Sequence, residues 1–442
     1  MRFFPADPEV GSCLTTSLEN RPMTTRAAVR QEILDLLTSL RTVDGHSHTA
    51  LRSQYESHLP KRLFDYMGYF GRELAYLAET AYKAPAPDDD EAAWKRLRHA
   101  LERAANVTYW RHVLVTFREI FGFEYDELTD DNWRDLNDTI RRKTSEPGWY
   151  HRITTEVCSL ETQVRNIPWF EDWEPEYFTG ILRMEGGAVG LVNAAARAQL
   201  QERSSVDTGS LDGAREALQI VVDQYVKKGI VGLKYGYAYG RTLHSDVVSA
   251  REAGPLYARA CRGEQLSEVE TRALQDHFIY YIVELARERG LLMQVHTGVQ
   301  TTLGHIPDSD PLLLIPLLKA FPQVKFDLFH AGYPYSREIG MLGKHYPNVY
   351  LNMAWMYVIS VAASRQILAE WIDLVPRNRL IGFGSDVGSP ELIYGHLVMA
   401  RECMADVLAD KVERDYLSRT EALALARASF RDNGMELYGL GS

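Results

Sequence analysis

Residues 43–49 read VDGHSHT, and the interpretation of the whole chain begins from this stretch. His46 and His48 are two positions apart, so on an extended strand both side chains point to the same side. Neutral imidazoles are common ligands of transition metals, but an isolated pair of this kind is weak evidence. Its meaning depends on whether other metal-binding residues follow at the spacing that one fold requires.

Short apolar runs, rich in β-branched and aromatic residues, recur in the second half of the chain. They lie at 177–185, 230–236, 291–298, 324–332, 348–353 and 380–386. Helical patterns separate most of them, for example at 264–289 and 309–321. Strands that alternate with helices predict a parallel sheet with crossover helices.

Four of these runs end in a residue that can bind a metal or react. Lys234 ends IVGLK, His296 ends LLMQVH, His330 ends VKFDLFH and Asp386 ends LIGFGSD. His296 and His330 are 34 residues apart, and His330 and Asp386 are 56 apart. A barrel of eight βα units uses roughly 30 residues for each unit, so these distances correspond to one and two units. We therefore place the VDGHSH histidines on strand 1 and these four residues on strands 4, 5, 6 and 8.

The connection between strand 1 and strand 4 is about 100 residues longer than three βα units require. Residues 59–157 have a helical pattern and account for this surplus. We therefore predict an α/β fold, a distorted (β/α)8 TIM-like barrel, formed by residues 24–58 and 158–442. Residues 59–157 are expected to form a helical insertion near the active-site mouth, and residues 1–23 an N-terminal extension.

The candidate residues all fall at the C-terminal ends of predicted strands, where barrel enzymes build their active sites. Imidazoles and a carboxylate suit zinc, iron or manganese, and a bound metal activates water and polarises a carbonyl. Asp386 can both bind the metal and accept a proton, which makes it the predicted general base. A single buried histidine is usually structural, but six residues at barrel spacing predict a metal site with zinc as the first choice.

Longer motifs surround these residues: GLKYGYAYGR, QVHTGVQ, FHAGYPYSREIGMLGKHYPNVYLNM and FGSDVGSPE. Together with HxH on strand 1 they resemble the amidohydrolase superfamily. The resemblance is to its amidohydrolase-related (amidohydrolase 2) branch, which includes FluG-like and nodulin-like domains. It covers about 24–56 and 177–440.

This resemblance implies a set of metal ligands. The strand-1 histidines and Asp386 would bind one metal, and His296 joins them in many mononuclear members. In binuclear members a carboxylated lysine, here Lys234, bridges two ions, and His330 binds the second. His330 is alternatively a catalytic group that polarises the substrate, so both one and two ions remain open.

Substrate contacts are expected from residues that follow strands 3 and 4. We predict Arg183, Tyr235 and Arg241 as substrate-binding residues. An arginine beside aromatic walls suits a small molecule with a carboxylate and a ring or apolar part.

The main prediction is a metal-dependent hydrolase that cleaves an amide, ester or lactone of such a substrate. The helical insertion also resembles that of uronate isomerases, so a metal-assisted aldose–ketose isomerisation is an alternative, as is a non-oxidative decarboxylation. A catalytically inactive binding module is a minor alternative, because every expected ligand is present.

The composition of the chain indicates which classes of binding partner and which compartment to expect. The chain has 442 residues and a net charge of −11, which disfavours nucleic acids and anionic membranes. Its four cysteines are far apart and form no CxxC motif, which indicates a reducing compartment. A cytoplasmic homo-oligomer that acts on a small molecule is therefore expected.

Overall fold

Eight parallel strands follow one another around a barrel in chain order. The computed structural model describes residues 25–79, 86–302 and 304–441, so the predicted extension 1–23 lies outside the described residues. The strands are β1 (Thr42–Ser47), β2 (Leu160–Ile167), β3 (Phe178–Arg183), β4 (Gly232–Tyr235), β5 (Leu292–Val295), β6 (Phe326–Leu328), β7 (Val349–Asn352) and β8 (Leu380–Ile381). Each pairs in parallel with the next, and the predicted distorted (β/α)8 barrel is confirmed.

The α-helices surround the strands and fill the long connection after β1. Before β2 they are α1 (Arg26–Ser39), α2 (Arg52–Glu56), α3 (Gly71–Leu77), α4 (Asp90–Ala104), α5 (Thr108–Phe121), α6 (Trp133–Thr144) and α7 (Trp149–His151). Between β3 and β6 they are α8 (Glu185–Ala188), α9 (Ala194–Ser204), α10 (Leu211–Lys227), α11 (Ala250–Cys261), α12 (Glu268–Glu288) and α13 (Ile315–Ala320). After β6 they are α14 (Ser336–His345), α15 (Met356–Ile359), α16 (Val361–Leu374), α17 (Pro390–Glu413), α18 (Arg419–Arg427) and α19 (Asn433–Leu437).

The core lies between the strands and the helices outside them. Every residue of β4, β5, β6 and β7 is buried, as expected for parallel strands that are covered on both faces. α10 shows the matching helical pattern, because Ala214, Leu218, Val221 and Tyr225 recur at spacings of three and four and are all 0% exposed.

β2 is the strand that the apolar runs did not predict. Its sequence, LETQVRNI, contains Gln163, Arg165 and Asn166, whose side chains are buried. Gln163 accepts a hydrogen bond from Ser47 Oγ at 3.1 Å, and Arg165 Nε donates to the Thr49 carbonyl at 3.2 Å. Polar contacts with the end of β1 thus replace the apolar pattern that identifies a buried strand.

The described part of residues 59–157 consists of helices and connecting loops. A 3-10 helix at Leu63–Tyr66 precedes α3, and a π-helical turn at Arg152–Val157 precedes β2. α5 packs closely on α17, since a Cβ at Gly395 would lie 2.1 Å from Thr116 Oγ1. The division of the chain into a barrel and an inserted domain stays a prediction.

None of the helices in the described ranges combines the length and the apolar composition needed to span a membrane.

Candidate metal centre and substrate pocket

Three of the predicted ligands meet at the C-terminal end of the barrel. His46 and His48 come from the end of β1, and Asp386 follows β8. His46 Nε2 lies 3.5 Å from Asp386 Oδ1, and His48 Nε2 lies 3.3 Å from the same oxygen. One ligand atom from each residue can be chosen so that all lie within 4.8 Å of one another. We call these three residues the metal cluster.

The geometry of the metal cluster fits a transition metal. Two ligands of a tetrahedral zinc ion, each about 2.0–2.1 Å from the metal, lie about 3.3 Å apart. The observed separations of 3.3 Å and 3.5 Å match that value. Burial lowers the pKa of His46 well below its usual range, and the nearby charge of Lys234 lowers it further, so the ring is in its neutral, metal-binding form.

The backbone at this end of the barrel is held in an unusual conformation. His330, Trp355 and Asp386 have φ values of +59°, +69° and +52°, in the left-handed region that residues other than glycine rarely adopt. Tyr69 OH donates a hydrogen bond to the Asp386 carbonyl at 2.6 Å. Strained residues of this kind persist where the surrounding contacts fix them, and they cluster at functional sites.

The predicted ligands His296 and His330 lie beside the metal cluster but are not members of it. His330 Nε2 and His296 Nδ1 are 3.0 Å apart and share a hydrogen bond. The other ring nitrogen of each histidine contacts a backbone carbonyl. His296 Nε2 lies 2.8 Å from the Val299 carbonyl, and His330 Nδ1 lies 3.1 Å from the Ala354 carbonyl. His330 Nδ1 also lies 3.7 Å from Asp386 Oδ2. Their roles as metal ligands stay predictions.

Lys234 lies in β4, one residue before its end, and is buried at the floor of the pocket. Its Nζ lies 3.5 Å from the centre of the Phe329 ring and has no hydrogen-bond partner among the described residues. Burial lowers the pKa of Lys234 to about 7, while the charge of Asp386 acts in the opposite direction. The amine is therefore partly neutral near pH 7, which is the form that can be carboxylated. Its carboxylation stays a prediction.

A cavity of about 680 Å³ opens above the metal cluster. Arg183 and Glu185 form part of its wall, and their side chains contact each other at 3.3 Å. The helices after β1 contribute further residues, including Tyr69 and His112. The metal cluster and an arginine side chain thus line the same pocket.

The structure does not support two of the predicted substrate contacts. Tyr235 is 0% exposed, and its hydroxyl donates to the Ile279 carbonyl at 2.7 Å. Arg241 forms an ion pair with Asp276 at 2.7 Å. Neither residue lines the cavity, because both side chains turn toward α12. Tyr239 lines it instead, with its ring 4.9 Å from that of His296.

His112 and Tyr69 are among the pocket residues that the sequence did not predict. His112 lies on α5, and its Nε2 contacts the Leu392 carbonyl at 2.7 Å. Burial lowers the pKa of His112 to about 4, so this ring is neutral near pH 7. The Tyr69 ring packs against Trp355, with ring centres 4.6 Å apart and the planes tilted by 36°. Both come from helices far from the barrel motifs in sequence, and nothing in their local sequence indicates a pocket.

Comparisons with known proteins agree with the motifs. A family model described as amidohydrolase matches residues 248–440. The FluG protein of Emericella nidulans is 25% identical over 296 residues, which cover 63% of this chain and 34% of that protein. A uronate isomerase of Nostoc punctiforme is 26% identical over 235 residues, 49% of each chain. The chain thus matches between a third and a half of the length of these relatives.

The fold is also shared with a solved structure. Uronate isomerase from Thermotoga maritima superposes with a TM-score of 0.80 at 16% identity, over 93% of this chain and 97% of that one. At this identity the likeness concerns the fold. The family match includes the segments that carry His296, His330 and Asp386. The comparisons therefore confirm that this chain is related to the amidohydrolase superfamily, as its strand-end motifs indicated.

Proposed function

We propose that this protein is a zinc-dependent isomerase that interconverts the aldose and ketose forms of a uronate, a sugar acid. The observation that carries the proposal is the similarity to a uronate isomerase over 93% of the chain, with a TM-score of 0.80. The curated uronate isomerase of Nostoc punctiforme, 26% identical over 49% of the chain, supports the same assignment.

The pocket is suited to a molecule of this size and charge. Its volume of about 680 Å³ lies within the usual range for small-molecule sites. The side chain of Arg183 is 43% exposed, which leaves its guanidinium accessible from the pocket. A guanidinium binds carboxylates through two parallel hydrogen bonds, so we assign Arg183 to the carboxylate of the uronate. Glu185 then competes with the substrate for the same donors.

The reaction moves one proton from C2 to C1 of the open-chain sugar and a second proton from the C2 hydroxyl to the C1 oxygen, so that the carbonyl shifts from C1 to C2. A divalent ion held by His46, His48 and Asp386 would polarise that carbonyl. Asp386 Oδ1 faces the two histidines, whereas Oδ2 faces His330 Nδ1 at 3.7 Å. We assign to Oδ2 the transfer of the proton from C2 to C1. Burial lowers the pKa of His330 well below its usual range, so the neutral ring does not compete for that proton.

Hydrolysis is the second candidate, because the family model that matches residues 248–440 is described as amidohydrolase. In that reaction Asp386 would accept a proton from the attacking water and pass it to the leaving group. The pocket and Arg183 would serve a carboxylate-bearing amide, ester or lactone in the same way.

A mass measurement separates the two candidates. The purified protein, loaded with Zn²⁺, is incubated with D-glucuronate and D-galacturonate, and in parallel with N-acyl amino acids, γ-glutamyl amides and lactones. An isomerase gives a ketose of unchanged mass, and a hydrolase gives products that together contain one added water. We expect a ketose from a uronate. Turnover of the second panel alone would establish hydrolysis, and turnover of neither panel would contradict both candidates.

The proton transfer is tested in deuterated water. If Asp386 exchanges its proton with solvent between the two half-steps, the ketose carries deuterium at C1. The Asp386→Asn variant should form no labelled ketose above the level of protein-free buffer.

A further inference from the structure

The metal cluster sits on the seam where the barrel closes. β1 and β8 do not pair as strands, but backbone hydrogen bonds join β1 to the segment that follows β8. Gly45 N donates to the Phe383 carbonyl at 3.0 Å, and Asp386 N donates to the His46 carbonyl at 2.9 Å. The strand-1 histidines and Asp386 therefore come from opposite sides of this seam, and their separation depends on how the seam is held.

One carboxylate spans the seam. Asp44 is 0% exposed, and its Oδ1 accepts hydrogen bonds from Ser385 N at 2.7 Å and from His46 N at 3.3 Å. Its Oδ2 accepts one from Ser385 Oγ at 2.6 Å. His46 is a predicted ligand, and Ser385 is the residue directly before the ligand Asp386. Every one of these bonds thus ends on a ligand or on its immediate neighbour.

Ser385 is also held from the other side. His396 Nδ1 on α17 lies 2.9 Å from the Ser385 carbonyl. The N–H, the hydroxyl and the carbonyl of Ser385 therefore all have fixed partners. Asp386 follows with a φ of +52°, so the direction of its carboxylate is set by a residue that Asp44 and His396 hold together.

A buried carboxylate is costly unless hydrogen bonds satisfy it. The donors to Asp44 are neutral groups, two backbone N–H groups and a hydroxyl. We propose that Asp44 is a positioning residue for the metal: it fixes the distance between the strand-1 histidines and Asp386. This inference rests on the proposed metal site but not on the proposed reaction.

The effect should appear in metal binding. Hydrogen-bond partners that orient metal ligands typically contribute 10–100-fold to metal affinity. We therefore expect Asp44→Asn to weaken Zn²⁺ binding at least tenfold, because it replaces one acceptor oxygen with a donor. Ser385→Ala removes only the hydroxyl and keeps the Asp44 side chain, so a smaller loss of about threefold or more is expected.

Asp276→Asn is the matched control. Asp276 is likewise a buried aspartate that accepts from a backbone N–H, that of Asp246 at 3.1 Å, but it pairs with Arg241 outside the pocket. Its replacement removes a buried negative charge without touching the seam. It should leave Zn²⁺ affinity within about twofold of wild type.

The test uses the full chain, stripped of metal by chelator dialysis and titrated with Zn²⁺ against a chromophoric chelator. The Co²⁺-loaded proteins are compared by visible absorption, and each variant's melting temperature is measured with and without Zn²⁺. Positioning predicts weaker binding, an altered Co²⁺ spectrum and a smaller Zn²⁺-induced rise in melting temperature for both seam variants. A purely structural Asp44 would lower the melting temperature of the metal-free protein and leave the other readouts unchanged.

Several results would overturn the inference. One is unchanged affinity in both seam variants, and another is an equal loss in the Asp276 control. A loss in Asp44→Asn with an unchanged Ser385→Ala would assign the effect to charge rather than to position. If Asp44→Asn does not fold, Ser385→Ala alone decides. If the wild type itself binds no Zn²⁺, the metal site is wrong and the inference fails with it, whatever the substrate panel gives.

Discussion

Replacement of Glu391 by glutamine should weaken the attachment of the connection between β1 and β2 to the barrel. Glu391 is 0% exposed and lies in the first turn of α17, five residues after Asp386. Its Oε1 accepts hydrogen bonds from Tyr55 OH, from Tyr66 OH at 2.9 Å and from Trp149 Nε1 at 2.7 Å. These donors belong to three separate parts of the connection between β1 and β2, so one carboxylate oxygen joins them all to the barrel.

The magnitude follows from these three bonds. Hydrogen bonds to a charged group contribute about 1.5–3 kcal/mol each, and those between neutral groups about 0.5–1.5 kcal/mol. Glu391→Gln keeps the shape and removes the charge, so each bond loses about 1 kcal/mol and the connection about 3 kcal/mol. Tyr66→Phe deletes a single donor and should cost less.

Native-state hydrogen exchange measures this effect locally. A loss of about 3 kcal/mol corresponds to roughly hundredfold faster exchange of the amides in the three segments that carry the donors, α2, the 3-10 helix Leu63–Tyr66 and α7. The amides of β5 and β6 should change much less. Glu413→Gln, an exposed position on the same helix, is the control and should leave exchange unaltered. Exchange in α2, Leu63–Tyr66 and α7 within threefold of wild type, or an equal change in β5 and β6, would contradict this prediction.

Three further predictions concern the site and the barrel interior. Asp386→Asn, loaded with metal, should lower kcat at least about a hundredfold, and a kcat within threefold of wild type would assign the proton transfer elsewhere. Arg183→Met should raise KM for a uronate more than it lowers kcat, while Arg183→Lys should recover part of the loss; an unchanged KM in both would exclude the carboxylate contact. Burial raises the pKa of Asp327 from 3.8 to about 6, so its protonated form favours folding below pH about 4, and this contribution is lost as the pH rises through 6. Urea denaturation should show that the free energy of unfolding of the wild type falls by up to about 3 kcal/mol relative to that of Asp327→Asn between pH 4 and pH 7. A difference between the two proteins that does not change with pH would contradict the assignment.

The strand ends could be predicted from sequence because parallel barrel strands are short, apolar and evenly spaced. Lys234, His296 and His330 each follow such a run, and the structure places all three beside the pocket or at its floor. β2 escaped prediction because Gln163 and Arg165 interrupt its apolar pattern to make polar contacts with the end of β1.

The substrate side of the pocket could be predicted only in part. Tyr235 is next to Lys234 on β4, and Arg241 follows that strand. A shift of one position along a strand decides whether a side chain points into the barrel or toward the outer helices. Tyr69 and His112 reach the pocket because α5 and the residues near it pack on α17. Packing between such distant segments leaves no pattern in the local sequence. Spacing along the chain identifies the strand ends, whereas the direction of each side chain depends on contacts between distant segments.

If His46, His48 and Asp386 hold a metal ion, the His48→Ala variant should lose that ion. The His48 side chain is 42% exposed, so its removal should not disturb the core. His244→Ala is the matched control, because His244 is 40% exposed and lies outside the metal cluster. After equilibration with Zn²⁺ and gel filtration, wild type and His244→Ala should each retain about one or two equivalents by elemental analysis, and His48→Ala less than about a tenth of that. Full Zn²⁺ content in His48→Ala would show that these three residues do not hold the metal.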